Sequence, residues 1–494
     1  MRTGLRRCFI WLRNTSTADN KQSNMKKTLF LLIAILAGGS LMAQQLGQNE
    51  LAELKASFNN DGYAKSIHNI ISTNKGIKAL AYNPSSVVGT DDFFKYNVEV
   101  SGITDQKSSG RCWMFTSMNQ LRPIVMKKYN VKNFDFSHNY SYFWDILEKA
   151  NLFLENVIAT SNLPFGDRAV DNLFHSPVGD GGVWNLFFNI GEKYGVVPAD
   201  VMPETEQSNS TGQFLGIVNE RLRKGGYEIR QVYENAMKVM SSGLAGDPHT
   251  NAEKVKMETL KDVYRVLAIC LGEPPTEFVW KYRDNDGKIQ TVKTTPQEFY
   301  KSIVPADYNA KDYVMIMNDP TREYYKIYEI DNYRNTIEGI NWTYLNLPND
   351  VIKKAAVASI KAGEPMYASC DVGKQSNTAG GVGYMDPGIY DYGQLFGINL
   401  DMDKKARILT RQSGSSHAML IVAVDTDDND NPLKWKFENS WGPQAGKGGY
   451  LIFTDKWFDE YMFRIVINRK YLDKKTIKAL DQKPVMLPAW DYMF

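Results

Sequence analysis

Cys112 stands in the run Gln106-Lys107-Ser108-Ser109-Gly110-Arg111-Cys112-Trp113-Met114-Phe115, and its neighbours suit acyl-transfer chemistry. The apolar, helix-compatible stretch from Trp113 to Met118 predicts a helix whose first turn carries the thiol. Unpaired N–H groups and the helix dipole at such a position favour a thiolate, which is the nucleophilic form. Gln106, six residues upstream across a Ser/Gly turn, supplies an amide donor able to face the charge that develops on a carbonyl oxygen under attack. A lone cysteine is more often a buried structural residue, so its flanks must be weighed together with distant partners.

Those partners lie some three hundred residues on. Ser415-Ser416-His417-Ala418 opens an apolar, strand-like run to Val424, and Trp435 to Gly442 contains Asn439 followed closely by Trp441. A thiol nucleophile needs an imidazole to take its proton, and the imidazole needs a third group to fix its tautomer and orientation. Asn439 can accept from the imidazole N–H without adding a negative charge, and Trp441 can shield that bond from water. The whole sequence holds only five histidines, which makes the Cys112, His417, Asn439 set a poor candidate for coincidence.

The residues Gln106, Cys112-Trp113, Ser416-His417-Ala418 and Glu438-Asn439-Ser440-Trp441-Gly442 together resemble the papain-like cysteine peptidases. More narrowly, Gln106 to Trp113, Gly179-Asp180-Gly181-Gly182, Glu192 to Val197, Leu271 to Pro275, Cys370 to Lys374 and Leu487 to Asp491 resemble the bleomycin hydrolase and aminopeptidase C branch. The resemblance runs from about residue 50 to the C-terminus. It implies an α+β, papain-like two-lobed fold, a helical lobe facing a β-rich one, with large and mostly helical insertions. It further implies a homohexameric barrel with the active sites on an inner cavity, peptide substrates, and no cofactor. In that branch a glycine pair lets substrate backbone run close to the cleft wall, which assigns Gly181 and Gly182 to substrate binding. The C-terminal arm enters the cleft and its terminal carboxylate meets the substrate amine, which assigns Phe494 the same role and makes the enzyme an aminopeptidase. Here the chain stops at Tyr492-Met493-Phe494, short of the usual pattern, so endopeptidase action or dipeptide release stands as the alternative.

Two readings from other classes remain. A non-catalytic scaffold of the same fold would have no use for an intact Gln/Cys/His/Asn set. A transglutaminase-like acyltransferase more often uses an acidic third member, where this chain has Asn439.

The surrounding chain must position these groups. Met25-Lys26-Lys27, the apolar run Leu29 to Ala37 and small residues up to Ala43 predict a secretory signal peptide over 25–43, too short to span a bilayer at ~20 apolar residues. The expectation is export to the periplasm or beyond, with no membrane insertion after cleavage and residues 1–24 an untranslated extension. Residues 1–43 hold seven basic residues and one acidic, so the net charge of +2 becomes −4 without them, and nothing favours nucleic-acid binding. Cys112, Cys270 and Cys370 are read as free thiols, the last two buried, with no zinc-site spacing among them. At 43% hydrophobic and 12% aromatic the chain has ample core.

Residues 112–200 read as helical, and Met237 to Leu271 as helix with charged faces. Glu277 to Arg283, a turn at 284–287 and Lys288 to Val292 read as a hairpin, and sequence from 366 on is strand-rich. The expected organisation is a polar arm over 44–90, a nucleophile lobe with insertions over 91–365, a β-rich His/Asn lobe over 366–480, and an arm into the cleft over 481–494. The glycine-rich run Ala379 to Gly383 is expected to be a loop.

Overall fold

The strand His417–Thr426 is buried along almost its whole length, which requires cover on both faces of its sheet. One face meets the helix Cys112–Tyr129. Ala418, Phe463 and Val466 share a core there with Trp113, Met114, Met118 and Leu121. The other face carries Met419, Ile421 and Ile465, which pack with Ile352, Ala356 and Ile360 of the helix Asn349–Lys361. Successive strand residues point to opposite faces, so a continuous apolar run serves both cores at once. Each large aliphatic side chain so buried contributes about 1.5–3 kcal/mol.

The computed structural model describes residues 45–74, 76–87, 91–100, 102–240, 247–306, 308–309, 311–378 and 383–493. The expected signal peptide, the upstream extension, Phe494 and 379–382 of the glycine-rich run lie outside the described residues. The chain divides into two compact units, one ending at Lys75 and one from Gly76 to Phe494. In the first, the helices Gln48–Asn59 and Gly62–Thr73 bury no residue fully, which is why this stretch reads as a polar arm.

In the second unit, twelve strands of the described residues form one sheet. Its centre runs Tyr313–Met317, Met462–Asn468, Met366–Cys370, His417–Thr426, Pro432–Glu438, Tyr450–Thr454, each antiparallel to the next. The insertion between Cys112 and His417 is helical as far as Leu271. Instead of one helix across Met237–Leu271 there are two, Gly212–Met240 and Pro248–Leu271. The second starts where the Asp247 carboxylate accepts from the His249 and Thr250 N–H groups and Pro248 takes the first position, a strong helix start. The hairpin follows as expected, Phe278–Arg283 against Ile289–Thr294. The insertion then lends three further strands to the main sheet, Tyr313–Met317, Lys326–Ile330 and Thr343–Asn346, and Val485–Leu487 pairs parallel to the second of these.

The segment before the nucleophile helix is stitched to the segment after the last central strand. Gln106 N–H donates to Ser440 O (2.8 Å) and Gly442 N–H to Thr104 O (3.0 Å). Arg122, on the Cys112 helix, meets Glu438 at 2.7 Å with both side chains buried. Burial pushes the Glu438 carboxyl up to about 7 in spite of the guanidinium beside it.

Candidate active site

Cys112 is the first residue of its helix, so its backbone N–H has no intrahelical partner, and the residue lines the cleft. Arg111, fully buried just before it, is held by Glu204 at 2.9 Å. His417 opens its strand, and its Nε2 lies 2.8 Å from Asn439 Oδ1. The Ser440 backbone N–H donates to the same Oδ1 at 2.8 Å. A backbone N–H can only donate, so the amide oxygen is the atom that faces the imidazole, Nε2 carries the proton, and neutral Nδ1 is left as the base. Trp441 stacks over the imidazole at 4.6 Å between ring centroids and keeps water off that bond.

Gln106 is oriented by the same loop. Its Oε1 accepts from Ser440 Oγ at 2.6 Å, and its Nε2 donates to Ser109 O at 2.6 Å. An amide NH2 has two hydrogens, so one remains for a ligand in the cleft. Cys112, His417 and Gln106 line one cavity of about 630 Å³, within the range of pockets that hold small ligands. A larger depression of about 1020 Å³ around Lys374, Tyr390 and Ile398 contains none of the candidate residues, so volume does not mark the chemistry here.

Burial raises the Cys112 thiol pKa, opposed by the backbone N–H groups of Ala418 and Trp113. The nearby Asp180 carboxylate raises it further, and Arg464 lowers it. Burial lowers His417 to about 4, while Asn439 pulls it upward. Each group taken alone is therefore held uncharged, and the charged pair must draw its stability from mutual attraction, the helix N-terminus and the oxyanion donors.

The two predicted glycines also line this cavity, for different reasons. A Cβ on Gly182 would sit 2.6 Å from Trp113 Cε2 and 2.8 Å from Leu186 Cδ1, so packing demands glycine there. Gly181 has open space where its Cβ would be. Its carbonyl accepts from Lys149 Nζ at 2.9 Å. Asp180 ties this loop to the nucleophile turn: its Oδ2 accepts from Gly110 N–H at 2.6 Å, and its carbonyl accepts from Trp113 Nε1 at 2.8 Å.

The C-terminal arm reaches the cleft, since Ala489 and Met493 line the cavity of Cys112 and His417. It is strapped down by Asp491, whose Oδ2 lies 2.5 Å from Arg322 Nη2 and whose Oδ1 accepts from Met493 N–H at 3.1 Å. Tyr492 hydrogen-bonds Thr321, and Met493 is buried.

Sequence reasoning passed over Ser440, which orients two of the predicted residues, and Lys149, Asp180 and Arg464. Ser440 stood in the quoted motif, and its proximity to Asn439 was the available signal. Arg464, inside the apolar strand Met462–Asn468, gave none. Cys370 is buried and Cys270 half-buried rather than fully buried, and both are free thiols.

The chain is similar to known proteins over most of its length. The family described as "Peptidase C1-like family" matches residues 45–494. Aminopeptidase C of Listeria monocytogenes is 38% identical over 421 residues, 85% of this chain and 91% of that protein. Bleomycin hydrolase of Mus musculus is 36% identical over 458 residues, 91% of this chain and 98% of that one. A crystal structure of pepw from Lactobacillus rhamnosis superposes with a TM-score of 0.84 at 35% identity, covering 92% of this chain and 99% of its own.

Proposed function

Because this chain belongs to the Peptidase C1-like family, with relatives named aminopeptidase C and bleomycin hydrolase, we propose that it is a cysteine aminopeptidase acting on short peptides. The observation that carries the residue assignment is the His417–Asn439 bond at 2.8 Å beside a helix-terminal cysteine in one cleft. His417 Nδ1 takes the thiol proton as Cys112 Sγ attacks the carbonyl carbon of the first residue. The resulting oxyanion is held by the Cys112 N–H and the free Nε2 hydrogen of Gln106. Imidazolium then protonates the departing amine, the C–N bond breaks, and a thioester remains. Water, deprotonated by His417, attacks the thioester, releases the free amino acid and returns the proton to the thiol.

The exopeptidase character rests on the C-terminal arm. Ala489 and Met493 in the cleft, and Asp491 anchored on Arg322, favour an arm that closes one end over the endopeptidase alternative. Gly181 and Gly182 form the wall along which substrate backbone runs, and a substrate-binding role for Phe494 remains part of the proposal. The test compares aminoacyl fluorogenic amides with free and acetyl-blocked amines, using the wild type and Cys112→Ala. Cleavage of the free series alone, lost in Cys112→Ala, is the expected result. Equal cleavage of blocked substrates would sink the aminopeptidase reading, and activity in Cys112→Ala would sink the thiol mechanism.

We also propose a homohexamer, on the likeness to the bleomycin hydrolase branch, and export through the segment 25–43, on its basic, apolar and small-residue order. Light scattering of the purified protein reads the first. The N-terminal residue of the mature protein, expected at Gln44, reads the second.

A further inference from the structure

One buried cation in the cleft takes no part in the bond-making and bond-breaking steps above. Arg464 is 5% exposed, and its side chain lines the cavity of Cys112 and His417. It stands in register with Ser369, which stands in register with Ala418, the residue after His417. With strands ~4.8 Å apart, its backbone lies about 10 Å from that of Ala418, a few residues of extended peptide away.

Its Nε and Nη1 have no hydrogen-bond partner. Among the described residues no carboxylate pairs with it, whereas the buried arginines Arg111, Arg122 and Arg322 meet Glu204, Glu438 and Asp491. Burial disfavours its charge, and the groups that most oppose this are the phenols of Tyr367, Tyr333 and Tyr344 and the Cys112 thiol, none of them a carboxylate. Two other cations line the cavity: Lys149, committed to Asp145 and to the Gly179 and Gly181 carbonyls, and Arg334, which is only half-buried where Arg464 is buried. Asp331 lines the same cavity but makes no ion pair with Arg464.

The guanidinium lies over Trp342 at 4.1 Å from the ring centroid, which steadies the cation without supplying an acceptor for its buried N–H groups. A planar guanidinium edge matches a carboxylate through two parallel N–H···O bonds. A buried cation without an anion is unstable, and the missing anion must come from what enters the cleft.

We propose that Arg464 is a specificity-determining residue that binds a carboxylate of the peptide substrate. The proposal rests on the peptidase reading of the cleft. The carboxylate belongs either to an acidic side chain or to the terminus of a short peptide, and the two sources are separable. Full-length enzyme is assayed on matched pairs: Glu-Ala-Ala amide against Gln-Ala-Ala amide, Ala-Glu-Ala amide against Ala-Gln-Ala amide, and Ala-Ala-Ala acid against its amide.

In wild type, at least one pair is expected to favour the carboxylate form by about 10- to 100-fold in kcat/KM, the range of a charge-assisted hydrogen bond. The pair that does so names the source. Arg464→Gln brings that ratio to near one, and Arg464→Lys keeps part of it. Ratios near one for every pair in wild type overturn the proposal, even if Arg464→Gln does not fold, as does a ratio that survives in Arg464→Gln. Even cleavage of all pairs defeats the Arg464 assignment alone, whereas no cleavage of any free-amine peptide defeats the peptidase reading with it.

Discussion

Replacing Asp491 by alanine should loosen the C-terminal arm and convert part of the exopeptidase activity into cleavage of blocked substrates. Asp491 contributes two bonds to the arm, the 2.5 Å contact with Arg322 and the 3.1 Å bond from Met493 N–H. Arg322 keeps Asp319 at 3.0 Å, so the substitution leaves no stranded charge to disturb the lobe. Both partners are almost fully buried, so solvent screens the pair little. A charge-assisted bond of this kind contributes about 2 kcal/mol and the backbone bond about 1 kcal/mol, so the arm loses about 3 kcal/mol of docking free energy. That change raises the undocked population about 100-fold. The assay is the ratio of kcat/KM for acetyl-blocked over free-amine substrates, measured beside the unfolding midpoint of the whole chain. The ratio should rise by up to two decades while the midpoint moves little. An unchanged ratio, with activity on free amines intact, would refute the argument that the arm closes the cleft.

Gln106→Ala should lower kcat about 10²–10³-fold, as loss of one oxyanion donor does. Ser440→Ala should lower it less by letting the Gln106 amide turn, a difference that steady-state kinetics reads directly. His417 is held at about 4, below the ordinary 6.5, so its contribution to stability is present above pH 6.5 and is lost as pH falls toward 4. The shift is worth about 3 kcal/mol, so denaturant unfolding of wild type should weaken by that much more than His417→Gln across this window, and equal slopes would contradict it. Gly182→Ala should destabilise the chain by about 1–3 kcal/mol through the Trp113 clash, whereas Gly181→Ala should leave the unfolding midpoint unchanged and raise KM.

The candidate reacting groups were legible because the chemistry proposed for them constrains residue type within a few positions. A helix start fixes where Cys112 can stand, and Asn439 next to an indole suits little else. The support around them was not legible, because it is made across distance. Ser440 reaches Gln106 from 334 positions away, and Arg122 reaches Glu438 from 316. Arg464 within Met462–Asn468 looks like any cation on a strand, and only the sheet register brings it beside Ser369. The β-rich lobe was readable from runs buried on both faces, such as His417–Thr426. The added strands Lys326–Ile330 and Thr343–Asn346 are short and half polar, so no period marks them. Asp247-Pro248 was a readable helix start inside an otherwise continuous helical pattern.

The stitching of residues 104–106 to 440–442, with Arg122 and Glu438 locked behind it, bears on how substrate gets in. A hinge that opened the lobes would have to break those backbone bonds and separate a buried ion pair, a cost of several kcal/mol for each excursion. Opening of that kind is therefore costly, and it would also pull the Gln106 side chain from Ser440. On the proposed function, passage is governed instead by the C-terminal arm that brings Ala489 and Met493 into the cleft, a doorstop rather than a door, and the length of peptide admitted is decided before chemistry begins.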